Sequence, residues 1–168
     1  MFCAKTPRFI EDGRIRLRPL RVFDGPFLMG GLKDEDILSA NGLNKHIASS
    51  WFFAWWWMKK TFMPAYCIEC ASGRIGFIGL YNLILGKSAE MTLVIFDRNN
   101  RRMGYGTMAF KLLAQCLQRH SLVKEIRAKV TVGNHGALSF WRKAGFVEIK
   151  TLNDIINMSI GLDSYHLP

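Results

Sequence analysis

Arg101-Arg102-Met103-Gly104-Tyr105-Gly106-Thr107 joins two different kinds of sequence pattern. A β-type run at 90–96 leads into it, and a run with helical spacing at 108–119 follows. Two closely spaced glycines therefore sit where a strand hands over to a helix. Such a junction presents backbone N–H groups without intrahelical partners, at the positive end of the helix dipole. Glycine also removes the side chain that would keep a bulky anion off the backbone. With Arg101 and Arg102 at the entrance, the stretch reads as a pyrophosphate cradle.

Upstream, 90–96 closes an antiparallel meander. A short strand at 65–70 turns through Ser72-Gly73 into a long strand at 74–84, which turns through Leu85-Gly86-Lys87-Ser88 into 90–96. The long strand is apolar on both alternating sets: Ile75, Phe77, Tyr81 and Leu83 on one, Ile78, Leu80 and Ile84 on the other. Both faces must then be covered, which puts this strand at the centre of the sheet with helices on each side.

Downstream, Met108, Leu112, Leu113, Cys116 and Leu117 repeat at helical spacing, and Lys111, Gln115, Gln118 and Arg119 fill the other side. At 125–132, Ile126, Ala128, Val130 and Val132 alternate with Arg127, Lys129 and Thr131, a strand pattern. Asn134 caps a helix that runs to 144, with Ala137, Phe140, Trp141 and Ala144 on one face and Gly145 closing it. The runs 146–151 and 155–160 form a last hairpin across Asn153-Asp154.

The N-terminal part is less regular. Residues 14–18 alternate as a first strand, stopped by Pro19. Asp24 is placed to cap a short helix through 32 that Gly30-Gly31 would end. Residues 33–44 are polar and poorly patterned, a loop with a helical turn. Ser49 or Ser50 caps a helix at 51–61 that carries Trp51, Phe52, Phe53, Trp55, Trp56, Trp57 and Met58, and Pro64 breaks the chain after it. That helix is apolar nearly all round. It is sunk in the core, buried between two copies in a homodimer, or used as the aromatic wall of a substrate pocket. There is no internal repeat, low-complexity tract or linker, so residues 1–168 read as a single domain.

With 168 residues, 49% hydrophobic and 21% charged, the chain is globular in composition and long enough for a sizeable core. A net charge of +10 and a pI near 9.8 favour an anionic partner: a nucleotide cofactor, nucleic acid or an acidic surface. The four cysteines make no disulfide framework, and reduced thiols are expected. Cys67 and Cys70 have zinc-type spacing, but residues three apart on a strand point to opposite faces, so no metal is assigned. The N-terminus lacks the pattern of a leader. The apolar run 51–58 is far shorter than the roughly 20 residues a membrane helix needs. A cytoplasmic protein with no membrane partner is the expectation.

These residues match a family. Arg101-Arg102-Met103-Gly104-Tyr105-Gly106 at a strand-to-helix junction resembles the acyl-CoA-binding loop of the GNAT superfamily of N-acetyltransferases, written Arg/Gln-X-X-Gly-X-Gly/Ala. Asn134, Ala137, Trp141, Lys143, Gly145 and Phe146 resemble that superfamily's later Asn-X-X-Ala-X-X-X-Tyr-X-Lys-X-Gly-Phe element. Ile-Arg-Leu-Arg-Pro-Leu at 15–20, and Ala89-Glu90 opening the strand before the loop, resemble the branch that includes ribosomal-protein alanine acetyltransferases. The likeness spans roughly residues 14–160. It implies an α/β (α+β) fold: a mixed, mostly antiparallel central sheet of about six to seven strands, flanked by about four helices, with the fourth and fifth strands splayed.

The resemblance implies acetyl-CoA as co-substrate and a primary amine as acceptor, with direct attack in a ternary complex. Arg101, Arg102, Met103, Gly104, Tyr105, Gly106 and Thr107 would take the pyrophosphate. Backbone groups of Leu93, Val94 and Ile95 would pair with the pantetheine arm as an added strand, and a bulge near Leu93 or Val94 would give an N–H to the oxyanion. Asn134 would bond the arm as well as cap its helix. An ammonium must lose a proton before it attacks, and Glu90, at the start of the arm-binding strand, is the candidate base, with a solvent-facing or salt-bridged strand end as the alternative.

Where many members carry a tyrosine that protonates the leaving thiolate, this chain has Trp141, and an indole N–H is not a useful acid. Three readings stand: the thiolate leaves unaided, Tyr105 or Tyr165 serves instead, or the register is shifted by one. The four histidines are scattered and none is assigned a catalytic role. Two rival functions remain. One is a basic RNA- or ribosome-associated module using Arg14, Arg16, Arg18 and Arg21, although no RNA-binding motif is recognisable. The other is a CoA-binding protein with reduced catalysis. Protein N-termini, small amines and amino sugars are all open as acceptors.

Overall fold

The strand-patterned runs pair into one eight-stranded sheet in the order β1-β2-β3-β4-β5-β6-β8-β7. Its strands are β1 (Ile10–Glu11), β2 (Arg16–Pro19), β3 (Ala65–Cys70), β4 (Gly73–Ile84), β5 (Ser88–Ile95), β6 (Glu125–Thr131), β7 (Val147–Leu152) and β8 (Ile155–Gly161). The structure is a computed structural model that describes residues 9–34, 37 and 64–163. Its helices among those residues are α1 (Gly25–Leu32), α2 (Tyr105–Arg119) and α3 (His135–Lys143). The aromatic helix expected at 51–61 and most of the loop at 33–44 lie outside the described residues. The two-residue β1, too short to leave a periodic signal, adds the eighth strand. No helix among the described residues is long and apolar enough to cross a membrane.

Neighbouring strands are antiparallel except β5 and β6, which run parallel. α2 makes the crossover between them, as a parallel connection requires. The double apolar pattern of β4 is explained by two cores. On one face Ile78 and Leu80 lie beneath Phe110, Leu113 and Leu117 of α2, with Met91, Ile126 and Met158 beside them. On the other, Phe77 joins Cys67, Leu28 and Phe96 under α1. Burial pushes the Cys67 thiol up to about 12, so it serves as an inert small hydrophobe.

Three local expectations are corrected. Gly30 and Gly31 do not end α1, which continues to Leu32. Gly31 instead sits against the Phe96 ring, where a Cβ would overlap the ring carbons; the glycine lets α1 lie on the end of β5. Asp24 precedes α1 but its side chain caps no helical N–H. It is 1% exposed and accepts from Arg18 Nη1 at 2.7 Å and Nη2 at 2.9 Å, from the Arg21 N–H at 2.7 Å, and from Arg74 Nη1 at 3.2 Å. Arg18 is therefore buried, not part of an exposed basic face, and its Nε also donates to Glu69 on β3 at 2.8 Å. A buried carboxyl would ordinarily be pushed up by lost hydration, but the bonds from Arg18 and Arg21 outweigh that and hold Asp24 below the usual range.

Candidate functional site

β5 and β6 pair through three positions, Ser88 with Glu125, Ala89 with Ile126 and Glu90 with Arg127, and no further. Beyond that rung the strands part, as expected for the fourth and fifth strands of the sequence reading. Both point their C-terminal ends into the same opening, and α2 and α3 begin there. A cleft of about 590 Å³ fills the opening, lined by residues of β5, β6 and the first turns of both helices. That is within the usual range for small-molecule sites.

The strand wall offers main-chain groups. The Phe96 N–H donates to Ile75 O of β4 at 2.8 Å, and the register continues as Phe77 with Val94 and Gly79 with Thr92. Alternate residues turn their backbone groups to opposite edges. Val94 and Thr92 thus face β4, while Met91, Leu93 and Ile95 face the opening. The β4–β5 register shifts between Tyr81 and Ile84, not near Leu93 or Val94, so the bulge expected there is absent. Leu93 presents its groups to the cleft from a regular strand.

The loop wall is built from left-handed turns. Arg102 has φ of 63° and Gly104, the residue before α2, has φ of 84°. A residue with a side chain seldom holds such a conformation, and in a loop beside a cleft it points to a functional constraint. α2 begins at Tyr105, so the N–H groups of Tyr105, Gly106 and Thr107 precede the first intrahelical bond, from Met108 N–H to Gly104 O at 3.0 Å. A Cβ on Gly106 would come within 3.4 Å of both Leu93 Cδ2 and Phe140 Cε2. Glycine thus keeps the seam between β5, α2 and α3 narrow and the backbone accessible.

The two loop arginines divide. Arg101 turns back, with Nε donating to Ile95 O at 3.0 Å and Nη2 to Phe96 O at 3.1 Å, so it fastens the loop to the end of β5. Arg102 is exposed at the rim. Leu93, Val94, Ile95, Arg101, Arg102, Gly104, Gly106, Thr107, Asn134 and Trp141 all line the cleft. Met103 is 56% exposed and outside the lining, and Tyr105 packs toward the core on the opposite side, bordering a second hollow near Arg16 and Cys70. Asn134 Oδ1 accepts from the Ala137 N–H at 3.0 Å, the expected helix cap. Trp141 is 5% exposed, with ring centroids 4.6 Å from Phe146, 4.9 Å from Phe140 and 5.9 Å from Phe110.

Glu90 stands at the last rung before the strands part. Its Oε1 is 2.9 Å from Lys129 Nζ, and its buried Oε2 has no hydrogen-bond partner among the described residues. Tyr81 lies opposite it on β4. Burial, then the Glu90 charge, pushes the Tyr81 hydroxyl up, with a hydrogen bond to Thr92 opposing. Lys129, Thr131 and Phe140 are cleft residues that sequence reasoning did not single out. Lys129 and Thr131 show only as the polar half of a strand alternation, because their nearness to β5 depends on a parallel pairing that no local signal marks.

Residues 14–147 match the sequence profile of the acetyltransferase (GNAT) domain. The chain belongs to the GNAT acetyltransferase family. No curated protein sequence matches it significantly. Among solved structures, a GNAT-family acetyltransferase from Bacillus anthracis is similar at a TM-score of 0.78 with 12% identity, over 93% of this chain and 99% of that one. Spermidine N-acetyltransferase from Vibrio cholerae, in complex with CoA and spermine, gives 0.71 with 19% identity, over 90% and 98%. The aminoglycoside acetyltransferase AAC(6')-Ib, in complex with coenzyme A, gives 0.75 with 16% identity, over 88% and 94%. At these identities the likeness is one of fold.

Proposed function

We propose that this GNAT protein is an acetyl-CoA-dependent N-acetyltransferase acting on a primary amine. The observation that carries the reading is the parted pair of parallel strands opening onto the first turn of α2, with Gly106 keeping that turn bare. Residues of this kind suit acetyl-CoA. Unpaired N–H groups at a helix start and the Arg102 charge suit a pyrophosphate, and the open edge of β5 at Leu93 suits an amide-bearing arm. CoA is bound in the two similar enzymes that act on spermidine and on aminoglycosides.

Acetyl-CoA would supply the activated acyl group, and the chain would supply orientation and proton handling. Arg102 and the α2 N-terminus hold the diphosphate end; Leu93 and Ile95 hold the arm; Asn134 stays committed to its helix cap through Oδ1 while facing the cleft. Glu90 accepts the proton of the incoming ammonium by way of water. Trp141, enclosed by three phenylalanine rings, packs α3 against α2 and gives no proton. The thiolate then leaves unaided, which a thiol pKa of roughly 8.5 permits.

The acceptor is a protein N-terminus, a small amine or an amino sugar. The likeness to ribosomal-protein alanine acetyltransferases at residues 15–20 and 89–90 puts a peptide beginning with Ala first among probes. The test is release of free thiol from acetyl-CoA with a panel: that peptide, spermidine, an aminoglycoside and an amino-sugar nucleotide. Turnover with one of these is expected; no thiol release with any of them would contradict the reading.

A further inference from the structure

We propose that Lys129 is a positioning residue for the Glu90 carboxylate, holding it in one orientation at the mouth of the cleft. The inference rests on Glu90 as proton acceptor. The groups facing Glu90 are Tyr81 across β4, and Arg127 and Lys129 from β6. Arg127 is committed elsewhere, with Nη2 2.7 Å and Nε 3.1 Å from Glu125 Oε2. Lys129 is therefore the cation bonded to Glu90 among the described residues, through Oε1 at 2.9 Å.

The placement is what separates this pair from an ordinary surface ion pair. Main-chain pairing between β5 and β6 stops at Glu90 and Arg127. Lys129, two residues farther along β6, reaches back across the mouth of the opening from the cleft wall. The Glu90 side chain is 14% exposed and Lys129 48%, so the carboxylate is sheltered while the ammonium stem remains beside the cleft. With Oε1 held by Lys129 and Oε2 buried, the carboxylate loses its freedom to rotate. A base must be within hydrogen-bond reach of its proton, and misplacement by about 1 Å costs up to about a hundredfold in rate.

The test is a set of variants, Lys129→Met, Lys129→Arg, Glu90→Gln and the double Lys129→Met/Glu90→Gln, assayed by thiol release with the panel amine that turns over fastest. Lys129→Met should lower kcat by about tenfold while KM for acetyl-CoA and calorimetric acetyl-CoA affinity stay within about twofold. Lys129→Arg should recover most of the loss, and adding Lys129→Met to Glu90→Gln should cost nothing further. Unchanged kcat in Lys129→Met, a raised KM with kcat intact, or a fully additive loss in the double variant would overturn the proposal while Glu90 keeps its role. Full turnover by Glu90→Gln, or no turnover of any panel amine by the wild-type chain, would remove the Glu90 reading and this inference together. Should Lys129→Met fail to fold, Lys129→Gln carries the same test.

Discussion

Glu90, Gly106 and the two loop arginines each make a separate demand on the chemistry. Replacing Glu90 by Gln keeps the shape and removes the proposed proton acceptor. It should lower kcat by about a hundredfold and leave acetyl-CoA affinity within about twofold, as steady-state kinetics with calorimetry will show. A Cβ at Gly106 would stand 3.4 Å from Leu93 Cδ2 and from Phe140 Cε2, so a larger side chain there would crowd both. Gly106→Val should weaken acetyl-CoA binding by about tenfold or more, with Gly106→Ala between it and wild type. Arg101 spends its guanidinium on the carbonyls of Ile95 and Phe96, whereas Arg102 is exposed. Arg101→Met should therefore lower the thermal unfolding midpoint, and Arg102→Met should leave the midpoint in place and weaken acetyl-CoA binding. The glycine spacing made the loop legible in the sequence. The opposite duties of adjacent arginines were not, because they depend on where the end of β5 stands relative to the loop.

At the scale of elements, α1 is tied to the sheet by a buried ion network rather than by a cap. Arg18 of β2 grips Asp24 ahead of α1 and Glu69 of β3 in one guanidinium, and Arg74 of β4 closes on Asp24 from outside. Breaking a buried pair on one side leaves an unmatched charge, so Asp24→Asn should cost about 3 kcal/mol by denaturant unfolding at neutral pH. The pH dependence has a definite sign. Asp24 is held below its unfolded value, so its contribution is present above about pH 4 and is lost as pH falls through the folded value. The stability of Asp24→Asn should fall less steeply than that of wild type below pH 4. The alternation at 14–18 did announce β2, but it made Arg18 look solvent-facing. An arginine buried within its own alternating set by a carboxylate 6 positions on gives no periodic sign of it.

Across the whole molecule, the meander, the crossover helix and the terminal hairpin follow from local patterns, and the structure has them within three residues of the patterned runs. The double apolar pattern of β4 foretold a core on both faces, now seen as two clusters. The parting of β5 from β6 is different in kind. It is set by where a long-range parallel pairing stops, and the resemblance to a family, not periodicity, pointed to it. That parting turns a glycine loop that would suit any phosphate into a site suited to a long acyl carrier. Isothermal titration of the wild-type chain with acetyl-CoA and, separately, with inorganic pyrophosphate tests it most directly. Saturable binding of one acetyl-CoA per chain with Kd below about 1 mM is expected, with weaker binding of pyrophosphate, which reaches the loop but not the strand edge. No saturable heat with acetyl-CoA, or equal affinity for the two ligands, would contradict it.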